Sequence, residues 1–137
     1  MSMLLPLSEL RARYLLSRDA FRTQDMSVKA RAFMPSTGLK TSVFRVLGLS
    51  ENQTWALGNE HVAQPQGRRL HGWAEVPESQ VASIGLVVEP DDDPPRHANI
   101  AGWPPEKHRQ KLLAQELAAI AVLKLRAGEG AGSTAPP

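Results

Sequence analysis

The chain has 137 residues, 42% of them hydrophobic and 22% charged, which describes a folded domain with a modest core and excludes wholesale disorder. It has no cysteine, which excludes disulfides, thiolate catalysis and cysteine-bound zinc or iron–sulfur centres. Basic and acidic side chains number eight and three in residues 1–50, three and eight in 51–105, and five and three in 106–137, so the chain runs +5, −5, +2 for a net +2. That segregation is what a basic face and an acidic face would require, although the two halves can also pair with each other in the fold.

In chain order, residues 1–8 form a lead-in, and Ser8 is placed to cap a short helix through Leu16, with Leu10 and Tyr14 one turn apart. Val28, Ala30, Ala32 and Met34 alternate with Lys29, Arg31 and Phe33, the pattern of a strand. Turn residues follow at Pro35 to Gly38, and Thr41 to Leu47 is rich in β-branched and aromatic residues, so a hairpin is predicted. Ser50 and Gln53 have capping-box spacing, and Trp55 and Val62 fall two turns apart on the helix that would follow. Gly58 weakens that helix, and a returning strand is the competing reading.

Gln64 to Gly67 is a loop. Arg68 to Val76 reads as a strand, with Leu70, Gly72, Ala74 and Val76 on one face and Arg69, His71, Trp73 and Glu75 on the other. A helical turn, Glu78 to Ile84, is opened by Pro77 and closed by Gly85, and Leu86 to Glu89 is a brief strand; strand, helix and strand together suggest a crossover. An acidic, proline-rich loop, Pro90 to Pro95, precedes a third alternating run, His97 to Ala101. Pro104, Pro105 and Glu106 fit a helix start. The helix is predicted to run from Glu106 to Arg126, with Leu113, Leu117, Ile120 and Leu123 or Lys124 toward the core and "LAAIAVLKL" buried on several sides. Residues 128–137, "GEGAGSTAPP", read as a flexible tail. The expected architecture is a single α+β domain over 1–127, with about four or five strands and a long C-terminal helix packed on the sheet. No apolar run reaches the roughly 18 residues of a membrane span, and the short apolar start has no basic n-region, so a cytoplasmic protein with no membrane partner is expected.

No phosphate-loop, dinucleotide, G-x-S-x-G or H-E-x-x-H signature occurs. His71, His97 and Asp91 to Asp93 have metal-ligand chemistry but no metal-ligand spacing, so no metal and no cofactor are assigned. Three functions compete. An accessory or regulatory protein, acting through a protein partner or as a homo-oligomer, fits the small size, the charge segregation and the apolar last helix. A nucleic-acid or phosphate-binding module would use Arg18, Arg22, Lys29, Arg31, Phe33 and Arg45, cations for phosphates and an aromatic for stacking. A hydrolase or transferase would use His97 as acid or base, with Arg96 or Asn99 holding an anion or carbonyl. If neighbouring strands align His71 and Trp73 with His97 and Asn99, they form a polar–aromatic pocket near Trp103; otherwise the tryptophans are core residues under the long helix. Arg96, His97, Asn99, His71, Trp73 and Trp103 are therefore the candidate binding residues.

Overall fold

The computed structural model describes residues 9–125. The lead-in at residues 1–8 and the tail at 128–137 lie outside them. The strands and helices are β1 (Leu10–Leu15), β2 (Phe21–Arg22), β3 (Ser27–Val28), β4 (Thr41–Arg45), α1 (Glu51–Gly58), β5 (Gly72–Pro77), α2 (Glu78–Ser83), β6 (Val87–Pro90), β7 (His97–Ala101), α3 (Lys107–Ile120) and β8 (Val122–Leu125). Six strands form one sheet in the order β6-β7-β4-β1-β5-β8, every neighbouring pair antiparallel. β2 and β3 form a separate ribbon. The α+β class holds, with more strands than the four or five expected.

The first difference from expectation is decisive for the fold. Residues 10–15 form not a helix but β1, which is flanked by β4 and β5. Its sequence, LRARYL, conceals the alternation because Arg11 and Arg13 share a face with Leu15. Arg11 is 5% exposed and makes ion pairs with Glu9, at 2.8 Å, and with Glu78. Arg13 donates Nε to the Ala32 carbonyl at 2.7 Å and Nη1 to the Ser42 carbonyl at 2.9 Å. Each guanidinium thus finds partners beneath the sheet while its stem covers apolar surface.

The sheet is covered on both sides. On the Leu15 face, Val43, Ala74, Val76, Ala98 and Ile100 meet Leu117 and Ala114 of α3, Val81 of α2, Phe33 and Trp103. On the other face, Ala12, Tyr14, Phe44 and Trp73 lie with Val46, Ala63 and Leu70, and Trp55 of α1 packs against them. The capping box at Ser50 and Gln53 forms in full. Gly58 is explained by Tyr14: a Cβ there would fall 2.4 Å from the tyrosine ring. The Tyr14 hydroxyl donates to the Thr54 carbonyl at 2.6 Å, and burial pushes its pKa above the ordinary phenol range.

Two other segments depart from the sequence pattern. Residues 29–33 are not a strand. A 3-10 turn, Ala30–Ala32, replaces the predicted hairpin arm, and Val28 pairs with Phe21 instead. The last helix stops at Ile120, and Ala121 is extended. The next four residues become β8, with Leu123 opposite Ala74 and Lys124 opposite Trp73. The change from period 3.6 to period 2 at "AVLKL" marks the switch. Gly72 admits it, since a Cβ at that position would meet the Lys124 carbonyl at 2.1 Å. Ile120, expected in the core, is 40% exposed, whereas Gln110 is buried and donates to the Pro104 carbonyl at 2.7 Å. β5 and β6 run the same way and α2 joins them, so the crossover exists, but it carries the chain past three intervening strands.

Glu78 accepts from Nη2 of the buried Arg11, and its loss leaves that charged donor without its partner. Glu78→Ala should therefore lower the unfolding free energy by about 2–3 kcal/mol in urea titration, with Glu9 left to hold Arg11 alone. A loss below about 0.5 kcal/mol would show that Glu78 is dispensable to β1.

Candidate functional site

The pairing of β4 with β7 places Ser42 opposite Asn99 and Phe44 opposite His97. Side chains two residues apart on one strand share a face, so Ser42, Phe44, His97 and Asn99 lie together, with Ser42 and His97 on a diagonal within reach of one another. The hairpin of β6 and β7 closes through residues 91–96. Both the Asp91 and Asp92 amides donate to the His97 carbonyl, at 3.1 and 3.0 Å. That return brings the Asp91 carboxylate beside the imidazole.

The result is a linear relay. Ser42 Oγ lies 2.6 Å from His97 Nε2, and His97 Nδ1 lies 2.7 Å from Asp91 Oδ1. An ionised carboxylate beside Nδ1 holds the proton on that nitrogen, which leaves Nε2 as the acceptor for the Ser42 hydroxyl. Asp91 is itself oriented: the Asp93 amide donates to Oδ1 at 3.1 Å and Asn99 Nδ2 to Oδ2 at 3.3 Å. The hydrogen bond from His97, then that of Asp93, with the charge of His97 and the Asn99 amide adding to them, hold the Asp91 carboxyl below the usual carboxylate range against a smaller desolvation effect. The Phe44 ring, 2% exposed, stands edge-on to the imidazole with centroids 5.2 Å apart and forms an apolar wall. The His97 side chain is 14% exposed and Asp91 is 46% exposed, so the relay is shallow and open to solvent at the carboxylate.

The backbone around the relay is unusual. Asp92 and Arg96 adopt left-handed conformations, with φ of 52° and 71°. Arg96 Nη1 donates to the carbonyls of Arg45 and Leu47 at 3.1 and 3.0 Å, and the Arg45 amide donates to the Arg96 carbonyl at 2.8 Å. Arg45 also pairs with Asp92. Arg96 therefore fastens the hairpin loop to the end of β4.

The other predicted residues are distributed elsewhere. β5 is separated from β7 by β1 and β4, so His71 and Trp73 do not join His97 and Asn99. Trp73 is 2% exposed, donates Nε1 to Glu75 at 2.8 Å and packs on Trp55. His71 is buried against Phe21. Trp103 donates to the Ile100 carbonyl at 3.0 Å and belongs to the core under α3. Phe33 is wholly buried, so it offers no stacking surface for a base. Arg18, Arg22, Lys29 and Arg31 are exposed, with Arg31 paired to Asp19 at 2.7 Å. Among the described residues, no three His, Asp or Glu side chains converge as a metal would require, and no helix is long and apolar enough to cross a membrane. Ser42 is the site residue that sequence reasoning passed over. Its one sequence signal is the alternation of Thr41 and Val43 with Ser42 and Phe44, which puts its hydroxyl opposite the inward-facing threonine and valine.

The chain matches no known family, curated protein or solved structure. Its chemistry has to be read from this geometry.

Loss of the imidazole removes the largest influence on Asp91. His97→Ala should move the Asp91 carboxyl titration upward toward the ordinary value of about 4, measured by carboxyl-carbon NMR. The folded-state pKa is depressed, so the relay's contribution to stability is present above the unfolded carboxylate pKa and is lost as pH falls through the lower, folded one. An unchanged titration in the variant would show that His97 does not hold the carboxylate in solution.

Proposed function

We propose that the protein is an acyl-transfer enzyme, a hydrolase or transferase, with Ser42 as nucleophile, His97 as general base and acid, and Asp91 as the carboxylate that orients the imidazole. The observation that carries this reading is the pair of contacts on opposite nitrogens of one histidine, 2.6 Å to a serine hydroxyl and 2.7 Å to a carboxylate. The same three roles recur on unrelated folds, so the arrangement is argued from geometry and not from architecture.

Ser42 Oγ attacks an ester, thioester or amide carbonyl as its proton passes to His97 Nε2. The tetrahedral intermediate expels the leaving group, which takes that proton, and an acyl-serine remains. Water or a second acceptor then attacks the acyl carbon, gives its proton to Nε2, and Ser42 Oγ recovers it on release. Asn99 is the polar neighbour able to meet the developing oxyanion. Its amide carries two hydrogens and gives one to Asp91, and its Cα lies directly across from that of Ser42.

A fluorophosphonate probe should label wild-type protein at Ser42, located by peptide mass spectrometry. Ser42→Ala and His97→Ala should each reduce p-nitrophenyl acetate turnover by at least about a hundredfold. Absence of both labelling and Ser42-dependent turnover in the folded protein would overturn the assignment.

A second reading, assembly with a partner or a second copy, has its own support at the far edge of the sheet. Among the described residues β8 pairs with β5 alone, and Ile120 and Val122 are 40% and 54% exposed beside that edge. An open strand edge bordered by apolar side chains favours strand addition. Light scattering across a concentration series should then show a dimer that Val122→Lys dissociates, whereas a monomer throughout would dispose of self-association.

A further inference from the structure

Arg13 is a half-buried cation with no carboxylate beside it among the described residues. A guanidinium keeps its charge at all ordinary pH values, and a partly desolvated one attracts a counter-charge. Arg13 spends Nε and Nη1 on two backbone carbonyls. Among the described residues no carboxylate pairs with it, and Nη2 makes no hydrogen bond there. Burial lowers its pKa from the free value, as desolvation of an unpaired cation must.

The place of Arg13 explains why this nitrogen matters. The register of β1 with β4 covers Arg11 with Arg45 and Ala12 with Phe44. Past that point Arg13 bridges from β1 to the Ser42 and Ala32 carbonyls, beside a cavity of about 210 Å³ lined by Arg13, Ser17, Asp19, Arg31, Val62 and Gln66, among others. At its rim Arg31 pairs with Asp19 at 2.7 Å, and Ser17 Oγ donates to the same carboxylate. These charges sum to +1, with the one acid already shared between Ser17 and Arg31.

We propose that this cavity binds a small oxyanion, a phosphate or a carboxylate group, held by the Arg13 guanidinium within and by Arg31 at the rim. Asp19 is the internal competitor: it occupies Arg31 until the anion takes its place. Planar guanidinium groups suit such ligands because they can offer parallel donors to two oxygens. Neither the cavity nor its anion depends on acyl transfer at Ser42, although Arg13 also holds the carbonyl of that residue.

The test is isothermal titration of the full chain with inorganic phosphate and, separately, sodium acetate, at constant ionic strength. Saturable binding of either anion is expected, and the better one assigns the ligand class. Asp19→Asn should tighten it by about threefold or more by freeing Arg31, and Arg31→Gln should weaken it by a similar factor. Arg13→Gln should abolish it. Arg13 also satisfies two carbonyls, so if that variant fails to fold, the two rim variants at exposed positions decide the matter. No saturable binding of either anion, or an Asp19→Asn protein that binds no more tightly, would overturn the proposal.

Discussion

The structure depends on two arginines being held under a central strand. β1 is hydrogen-bonded on both sides, and its odd-numbered side chains project onto the face covered by α2 and α3, where Arg11 is buried and Arg13 half-buried. Arg11 and Arg13 stand at two of those positions. An unpaired ion buried there would cost several kcal/mol. The cost is offset by Glu9 and Glu78 for one and by two backbone carbonyls for the other. Those partners lie on β1's own approach, α2, the 3-10 turn and β4. The central strand is therefore seated only when four separate pieces of chain are in place, and the charges act as a check on assembly as well as a source of cohesion.

The Ser42 relay is built from the opposite consequence of the same sheet. α1 and the segment after it cover the second face over Tyr14 and Trp73, while the half formed by β4 and β7 carries Ser42, His97 and Asn99. Register alone places three polar side chains together. The hairpin loop then adds the carboxylate, and two left-handed residues accompany it. Non-glycine backbone in that region costs on the order of 1 kcal/mol or more per residue. The Arg45–Asp92 pair and the Arg96 bonds to β4 offset that cost. Backbone strain beside an aligned set of proton-transfer groups is where function is commonly found.

How far this was legible in the sequence differs by residue. His97 to Ala101 was a readable strand because its alternation is clean and prolines bound it. The capping box at Ser50 was readable because it is local. β1 was not, because Arg11 and Arg13 break the apolar period while lying on a buried face, and their partners are far away in sequence: Glu78 is 67 residues from Arg11. The end of α3 is not legible because "LAAIAVLKL" satisfies a helical stripe until Gly72 offers β8 a place to pair. His97 and Asn99 were identified from their shared face. Their coupling to Ser42 required knowing that β7 pairs with β4, a contact 55 residues apart. His71 and Trp73 lie apart from His97 for the same reason, since strand order is a long-range property.

The hairpin that carries Asp91 and His97 has a further consequence. β6 is the outer strand of the sheet, with Val87 49% exposed, and it pairs with β7 alone among the described residues. Segments of this kind open by local unfolding at a smaller free-energy cost than the core requires. The carboxylate arm of the relay thus belongs to a less stable unit than the serine arm on β4. Integrity of the Ser42–His97–Asp91 contacts and global foldedness become separable quantities in this molecule, since the edge hairpin can open while the arginine-seated centre stays intact.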